Sequence, residues 1–244
     1  MIAIKTTNLT KKYKKKIAVD SLNLTIDQGE LFALLGVNGA GKSTTIKMLS
    51  CLVKPTYGDA MILGNSIISD SIKVKEHINV SPQETAIAPN LTVRENLEFI
   101  AGIYGSDRKE ARQKAKDSIS SFGLSKIAED KSKTLSGGWQ RRLSIAMALI
   151  SEPKILFLDE PTLGLDVIAR RELWSIIEKL KGKITIILTT HYLEEAESLS
   201  DRIGIMASGS LKAIGTADEL MKRTNTAKFE DAFIALAKEG GKQI

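Results

Sequence analysis

The sequence predicts an α/β fold, a parallel sheet flanked by helices with an N-terminal antiparallel β part and a helical insertion. Two observations carry this. Short apolar runs separated by turn residues fill the opening third, while Ile155 to Leu158, a continuous apolar run, and Ile184 to Thr189 read as strands set between helical patterns. A strand that is apolar at every residue is buried on both faces, and when such strands alternate with helices the sheet is parallel.

Taken in order, Ala3 to Leu9, Ile17 to Ile26 and Glu30 to Leu35 read as strands, bounded by Gly, Asp and Asn. Lys42 to Leu52 reads as a helix, with Ile46, Leu49 and Val53 at helical spacing, and Pro55-Thr56-Tyr57-Gly58 reads as the turn that ends it. From Thr92 to Lys133 the chain is polar and helical. Thr92 and Glu95 form a capping-box pattern, and the stretch from Asp107 to Phe122 is densely charged. The helical subdomain is expected at about residues 88–145. Gln140 to Ile150 and Ala169 to Leu180 complete the helix and strand alternation. Near the end, Phe229, Ala232, Phe233 and Leu236 sit at helical spacing, so a short amphipathic helix packing on its own domain is expected before a glycine-rich end. One domain over residues 1–225 and a tail over 226–244 follow from this pattern.

Composition narrows the class. Of 244 residues, 43% are apolar and 26% charged, a balance that excludes a disordered or membrane-spanning chain. No run approaches the roughly 18 uncharged apolar residues of a spanning helix, and the opening MIAIKTTNLTKKY lacks the apolar core of a signal peptide. A cytosolic chain is expected. Cys51 is the single cysteine, so no internal disulfide can form, and it reads as a small buried hydrophobe. The net charge of +6 is concentrated at Lys11-Lys12-Tyr13-Lys14-Lys15-Lys16. That run reads as a solvated strand-and-turn surface, the alternative being attraction to anionic lipid headgroups or nucleic acid.

The chemistry lies in three motifs. Gly36-Val-Asn38-Gly39-Ala40-Gly41-Lys42-Ser43, followed by Thr44, matches the phosphate-binding loop GxxxxGK[ST] and stands between an apolar strand and a helix. Glycines let backbone N–H groups turn inward around phosphate oxygens, and the helix directs its positive end at them. Lys42 supplies a cation for the β and γ phosphates of a nucleotide, and Ser43 a hydroxyl for Mg²⁺. Ile155 to Leu158 leads into Asp159 and Glu160. An acidic pair after a strand also serves as an ordinary helix cap, but beside a phosphate loop Asp159 suits the Mg²⁺ shell and Glu160 the attacking water. The third motif, Leu135-Ser136-Gly137-Gly138-Trp139, precedes a helix and forms either a simple cap or a second anion cradle.

Gly36 to Ser43, Leu135 to Gly138 and Leu156 to Pro161, in that order and at about those distances, make the chain resemble the ATP-binding domains of ABC transporters, with a P-loop NTPase core. The resemblance covers Tyr13 to about Leu220. It implies that Tyr13 stacks on adenine and that Gln83 touches the metal site and senses a membrane subunit. It also implies that Asp166 crosses a dimer interface and that His191 reaches the γ phosphate. Ser136, Gly137 and Gly138 would then face ATP held by a second copy, so two subunits bury two ATP molecules, as a homodimer or a heterodimer. Trp139 stands where this family usually has Gln, which bears on hydrolysis rate rather than on nucleotide identity.

Ser136-Gly-Gly-Trp-Gln-Arg-Arg-Leu, His191-Tyr-Leu-Glu-Glu-Ala-Glu and Phe229-Glu-Asp-Ala-Phe are similar to ATPases of bacterial ABC-2 type drug exporters. The implied partner is an integral membrane permease, which places the chain on the inner face of the cell membrane, with no nucleic acid involved. An importer ATPase, a lipid or polysaccharide ATPase, and a soluble ABC ATPase acting on ribosomes or DNA are the alternative readings.

Overall fold

Two β-sheets organise the chain in a computed structural model that describes residues 1–238. The first is antiparallel. Its long strand β1 (Ile2–Tyr13) pairs with β2 (Lys16–Leu22), β3 (Thr25–Asp27) and β5 (Tyr57–Ile62), and β6 (Asn65–Ser66) extends the β5 edge. The lysine run falls on the β1–β2 hairpin, where the positive φ of Lys14 (49°) turns the chain.

The second sheet has the order β11-β10-β4-β9-β8-β7. Strands β4 (Leu31–Leu35), β7 (Ile78–Ser81), β8 (Ile155–Asp159), β9 (Thr185–Thr190) and β10 (Arg202–Ala207) run parallel, and β11 (Ser210–Gly215) closes one edge antiparallel to β10. Every residue of β4, β8 and β9 is buried. The reason is visible residue by residue. Leu31, Ala33, Leu35, Leu156, Leu158, Ile186 and Leu188 join a core on one side of the sheet. Phe32, Leu34, Ile155, Phe157 and Ile187 join a second core on the other side, shared with the antiparallel sheet. Alternate side chains point to opposite faces and both faces are covered, so the middle of each strand is apolar and polar residues stand only at strand ends. Phe157 is fully buried, and its truncation to Ala would cost about 3–5 kcal/mol.

Helix α1 (Lys42–Leu49) follows β4, and α2 (Ser71–Lys75) leads to β7. The expected turn comes early. The helix ends at Leu49, and Tyr57 and Gly58 already belong to β5, because Thr56 N bonds Thr10 O and draws the chain onto β1. Cys51 is half-buried rather than buried, at φ 57°, in the turn after α1.

The middle of the chain is helical as expected, with α3 (Val93–Ile103) and α4 (Arg108–Ser121) packed against each other. Thr92 and Glu95 cap α3 reciprocally, at 3.1 Å from Glu95 N to Thr92 Oγ1 and 2.8 Å from Thr92 N to Glu95 Oε2. Asp107 and Glu110 cap α4 in the same way. Helix α5 (Gly137–Leu149) starts three residues earlier than its apolar pattern suggests. Then come α6 (Val167–Glu178), α7 (Leu193–Leu199), α8 (Ala217–Thr224) and α9 (Phe229–Lys238). Helix α9 buries Phe229, Ala232 and Leu236 in the core beside α7, α8 and β10, so it packs on its own chain. The glycine-rich end lies outside the described residues.

Candidate active site

Because β4, β7, β8 and β9 are parallel, their carboxyl ends meet at one edge of the sheet, where α/β folds place ligands. From β4 the chain enters the Gly36–Ser43 loop, from β8 it reaches Asp159 and Glu160, and from β9 His191. Gln83 follows β7 by two residues. Together they frame a cavity of about 450 Å³.

The loop needs its glycines. Gly41 has φ 108°, and a Cβ there would lie 2.4 Å from Ala18 O; at Gly36 a Cβ would lie 2.4 Å from Met206 O. Lys42 is 4% exposed and turns back over the loop, donating to Gly36 O at 2.7 Å and Val37 O at 3.3 Å. Its Nζ lies 3.2 Å from Glu160 Oε1. The other oxygen of Glu160 is 2.6 Å from His191 Nδ1. Lys42, Glu160 and His191 thus form a continuous polar chain across the cavity. Glu160 leaves the strand at φ 49°, a left-handed backbone that costs an L residue roughly 1–2 kcal/mol. Its N–H donates to Thr189 O and Thr189 Oγ1, both at 3.1 Å, which holds the turn. Such strain at the end of a strand marks functional positions.

Asp159 lies beneath. Ser43 Oγ donates to its Oδ1 at 3.0 Å, and Thr189 Oγ1 donates to the same oxygen at 2.5 Å. Neither acidic residue caps a helix. That role belongs to Asp166, whose Oδ1 accepts from Ile168 N and Ala169 N at 2.9 Å each, starting α6.

Tyr13, Asn38, Gly39, Ala40, Gly41, Lys42, Ser43, Thr44, Gln83, Glu160 and His191 line the cavity. Gly36 and Asp159 sit just behind it, each bonded to a lining residue. Ser136, Gly137, Gly138 and Asp166 do not line it. Ser136 occupies the N-cap position of α5 yet its side chain makes no capping bond, and both Ser136 and Gly137 are exposed. The cradle therefore opens outward. Trp139 is half-buried under the Arg142 guanidinium, 4.3 Å from its ring centroid, while Arg142 pairs with Glu172 of α6 at 2.6 Å.

Sequence reasoning missed Lys16, Ala18 and Leu163, which also line the cavity, and Thr189, which orients Asp159. A signal for Thr189 existed, since a hydroxyl pair ends an otherwise apolar strand. Behind the site, Glu195 of α7 is fully buried. Burial pushes its carboxyl above the usual glutamate range, opposed by the Trp174 Nε1 hydrogen bond at 3.0 Å and the Arg170 charge. Burial lowers the Arg141 guanidinium, opposed by the carboxylates of Asp159 and Glu195.

A phosphate loop facing a carboxylate-tipped parallel strand, with an exposed glycine cradle at the start of α5, defines a P-loop nucleotide-binding protein. Known proteins specify the class. The family model described as ABC transporter matches residues 19–163, and the chain belongs to that family. It is 40% identical over 246 residues to the probable multidrug ABC transporter ATP-binding protein YbhF of Escherichia coli (strain K12), covering 98% of this chain and 42% of that one. The chain thus spans less than half the length of YbhF. It is 42% identical over 217 residues to the linearmycin resistance ATP-binding protein LnrL of Bacillus subtilis (strain 168), covering 88% of this chain and 70% of LnrL. Among solved structures it resembles the dimeric, post-hydrolysis state of the ATP-binding cassette MJ0796 bound to ADP and Pi. The TM-score is 0.79 at 29% identity, over 87% of this chain and 98% of that one.

Proposed function

We propose that this chain hydrolyses ATP as one of two subunits that close on two nucleotides and drive export through a separate membrane permease. The Lys42–Glu160–His191 chain in the loop cavity carries the reading. Lys42 is poised to exchange the Glu160 carboxylate and the Gly36 carbonyl for β and γ phosphate oxygens. Released from Lys42 and still held by His191, Glu160 turns a free carboxylate oxygen toward the attacking water and orients it for in-line displacement. His191 reaches the γ phosphate, and Tyr13 stacks on adenine.

The oxygens of Ser43 and Asp159 fit Mg²⁺, a hard cation that takes one or two protein oxygens and completes its shell with phosphates and water. Gln83, at the mouth of the same cavity, fits its outer shell. Bound there, Mg²⁺ would neutralise charge developing on the phosphates.

Dimerisation rests on the cradle. Ser136 and Gly137 are exposed and lie outside the lining of the chain's own cavity, which suits an anion brought by another copy. Val37 of the phosphate loop and Val167 and Ile168 at the start of α6 are 57%, 58% and 74% exposed, apolar surface suited to a partner. Among the described residues no helix is long and apolar enough to cross a membrane. On this reading a separate permease supplies the membrane path, and the chain works at the cytoplasmic face of the membrane. The names of YbhF and LnrL support export of drug-like or lipophilic compounds.

Mixing inactive subunits tests the sandwich. Ser136→Ala and Lys42→Ala chains should each hydrolyse ATP poorly, whereas their mixture should regain activity because the mixed dimer keeps one intact composite site. A mixture no more active than either parent would rule out sites shared between subunits.

A further inference from the structure

Helix α5 begins at the exposed Ser136-Gly137-Gly138 turn, and its next turns grip the segment that carries Gln83. Arg141 is 5% exposed; its Nη1 donates to Pro82 O and its Nη2 to Gln83 O. One turn further on the same face, Ser144 Oγ shares a hydrogen bond of 3.0 Å with Ser81 Oγ. Three consecutive residues are thus held from a single helix. A guanidinium has the planar fork that satisfies two adjacent carbonyls at once, which an ammonium lacks. Burying such a cation is unfavourable without countercharge. Here the carboxylates of Asp159, at the end of β8, and Glu195, on α7, supply it.

We propose that Arg141 is a positioning residue that makes Gln83 move as one body with the Ser136–Gly138 cradle. The cradle opens away from this chain's cavity and Gln83 lines that cavity, so Arg141 links the two nucleotide sites through one rigid helix. The inference rests on the two-subunit reading above. Docking of the partner copy's nucleotide on the cradle displaces α5, and the clamp passes that displacement to the carbonyl of Gln83. No step depends on the Gln83 side chain leaving its own backbone behind.

The test uses Arg141→Met, which keeps bulk and removes both donors, and Arg141→Lys, which keeps the charge and reaches one carbonyl. The backbone carbonyl ¹³C resonances of Pro82 and Gln83 in the nucleotide-free chain should shift in the Met variant, by loss of the charge-assisted hydrogen bonds those carbonyls accept. The phosphate-loop resonances should stay as before, and the Lys variant should fall between. In ATP hydrolysis, Arg141→Met should lower kcat about 10²-fold with little change in ATP affinity of the single subunit. Because Gln83 is what Arg141 positions, the same substitution in a Gln83→Ala background should cause no further loss. Unchanged carbonyl resonances at Pro82 and Gln83, or losses that multiply in the double variant, would overturn the proposal. If the carbonyl resonances respond as stated but the wild-type chain turns over no ATP under any condition, the clamp stands and the ATPase reading falls.

Discussion

Replacing Glu160 by Gln separates the structural from the chemical role of this residue. Glu160 is 7% exposed, with one oxygen 3.2 Å from Lys42 Nζ and the other 2.6 Å from His191 Nδ1. A glutamine of the same shape keeps an oxygen for Lys42 and offers an amide N–H to the ring nitrogen. Lys42 also retains Gly36 O at 2.7 Å, so its ammonium loses the carboxylate charge but keeps its hydrogen-bond acceptors. The stability loss should be about 1–2 kcal/mol, not the roughly 3–5 kcal/mol of a broken buried pair. For a chain of this size that is a fall in Tm of about 2–8 °C. Turnover behaves differently, because an amide can neither take a proton from water nor polarise it as a carboxylate does. A loss of about 10²–10⁴-fold in kcat is expected, or roughly 2.7–5.5 kcal/mol in the barrier. Phosphate release at saturating ATP and Mg²⁺ measures it, with ATP binding by titration and dimer formation by gel filtration as controls. The variant should bind ATP and accumulate as a dimer. Turnover within about threefold of wild type would refute the assignment of water activation to Glu160.

Two further outcomes follow from other parts of the site. Tyr13 is 44% exposed at the cavity mouth, with Lys11 Nζ 5.1 Å from its ring centroid. Tyr13→Ala should weaken ATP binding by about 1–3 kcal/mol while Tyr13→Phe keeps the stack, and equal affinities for the two variants would argue against stacking. Glu195 gives a pH signature. Its folded carboxyl is held above its unfolded value by burial, so the folded state binds the proton more tightly. Its contribution to stability is then full below the unfolded glutamate range and falls as pH rises through the raised folded value. Melting curves from mildly acidic to neutral pH should show wild type losing stability relative to Glu195→Gln as pH increases. A constant difference between the two across that range would contradict the shift.

The tips of three core strands were legible in the sequence because their constraints are local. A phosphate loop requires glycines and a lysine at fixed offsets between a strand and a helix, and a fully buried strand reads as an unbroken apolar run. The Thr92 capping box and the amphipathic spacing of Phe229, Ala232 and Leu236 were legible for the same reason. Strands β5, β6, β7, β10 and β11 were not. They are short, mixed in polarity, and defined by partners far along the chain, as when Thr56 N on Thr10 O makes Tyr57-Gly58 a strand where local turn chemistry suggested a bend.

The site divides in the same way. The residue types for phosphate, metal and water could be named from spacing. Tertiary structure decided that Lys42 rests on Glu160, that His191 holds the other oxygen of that carboxylate, that Thr189 and Ser43 share one oxygen of Asp159, and that Arg141 clamps the Gln83 segment. These pairs are separated by 30 to 118 positions along the chain, since residues on neighbouring parallel strands are joined only through long helical crossovers. The sequence by itself determined which chemical groups are present. Only the parallel register of β4, β7, β8 and β9 decided which of them touch.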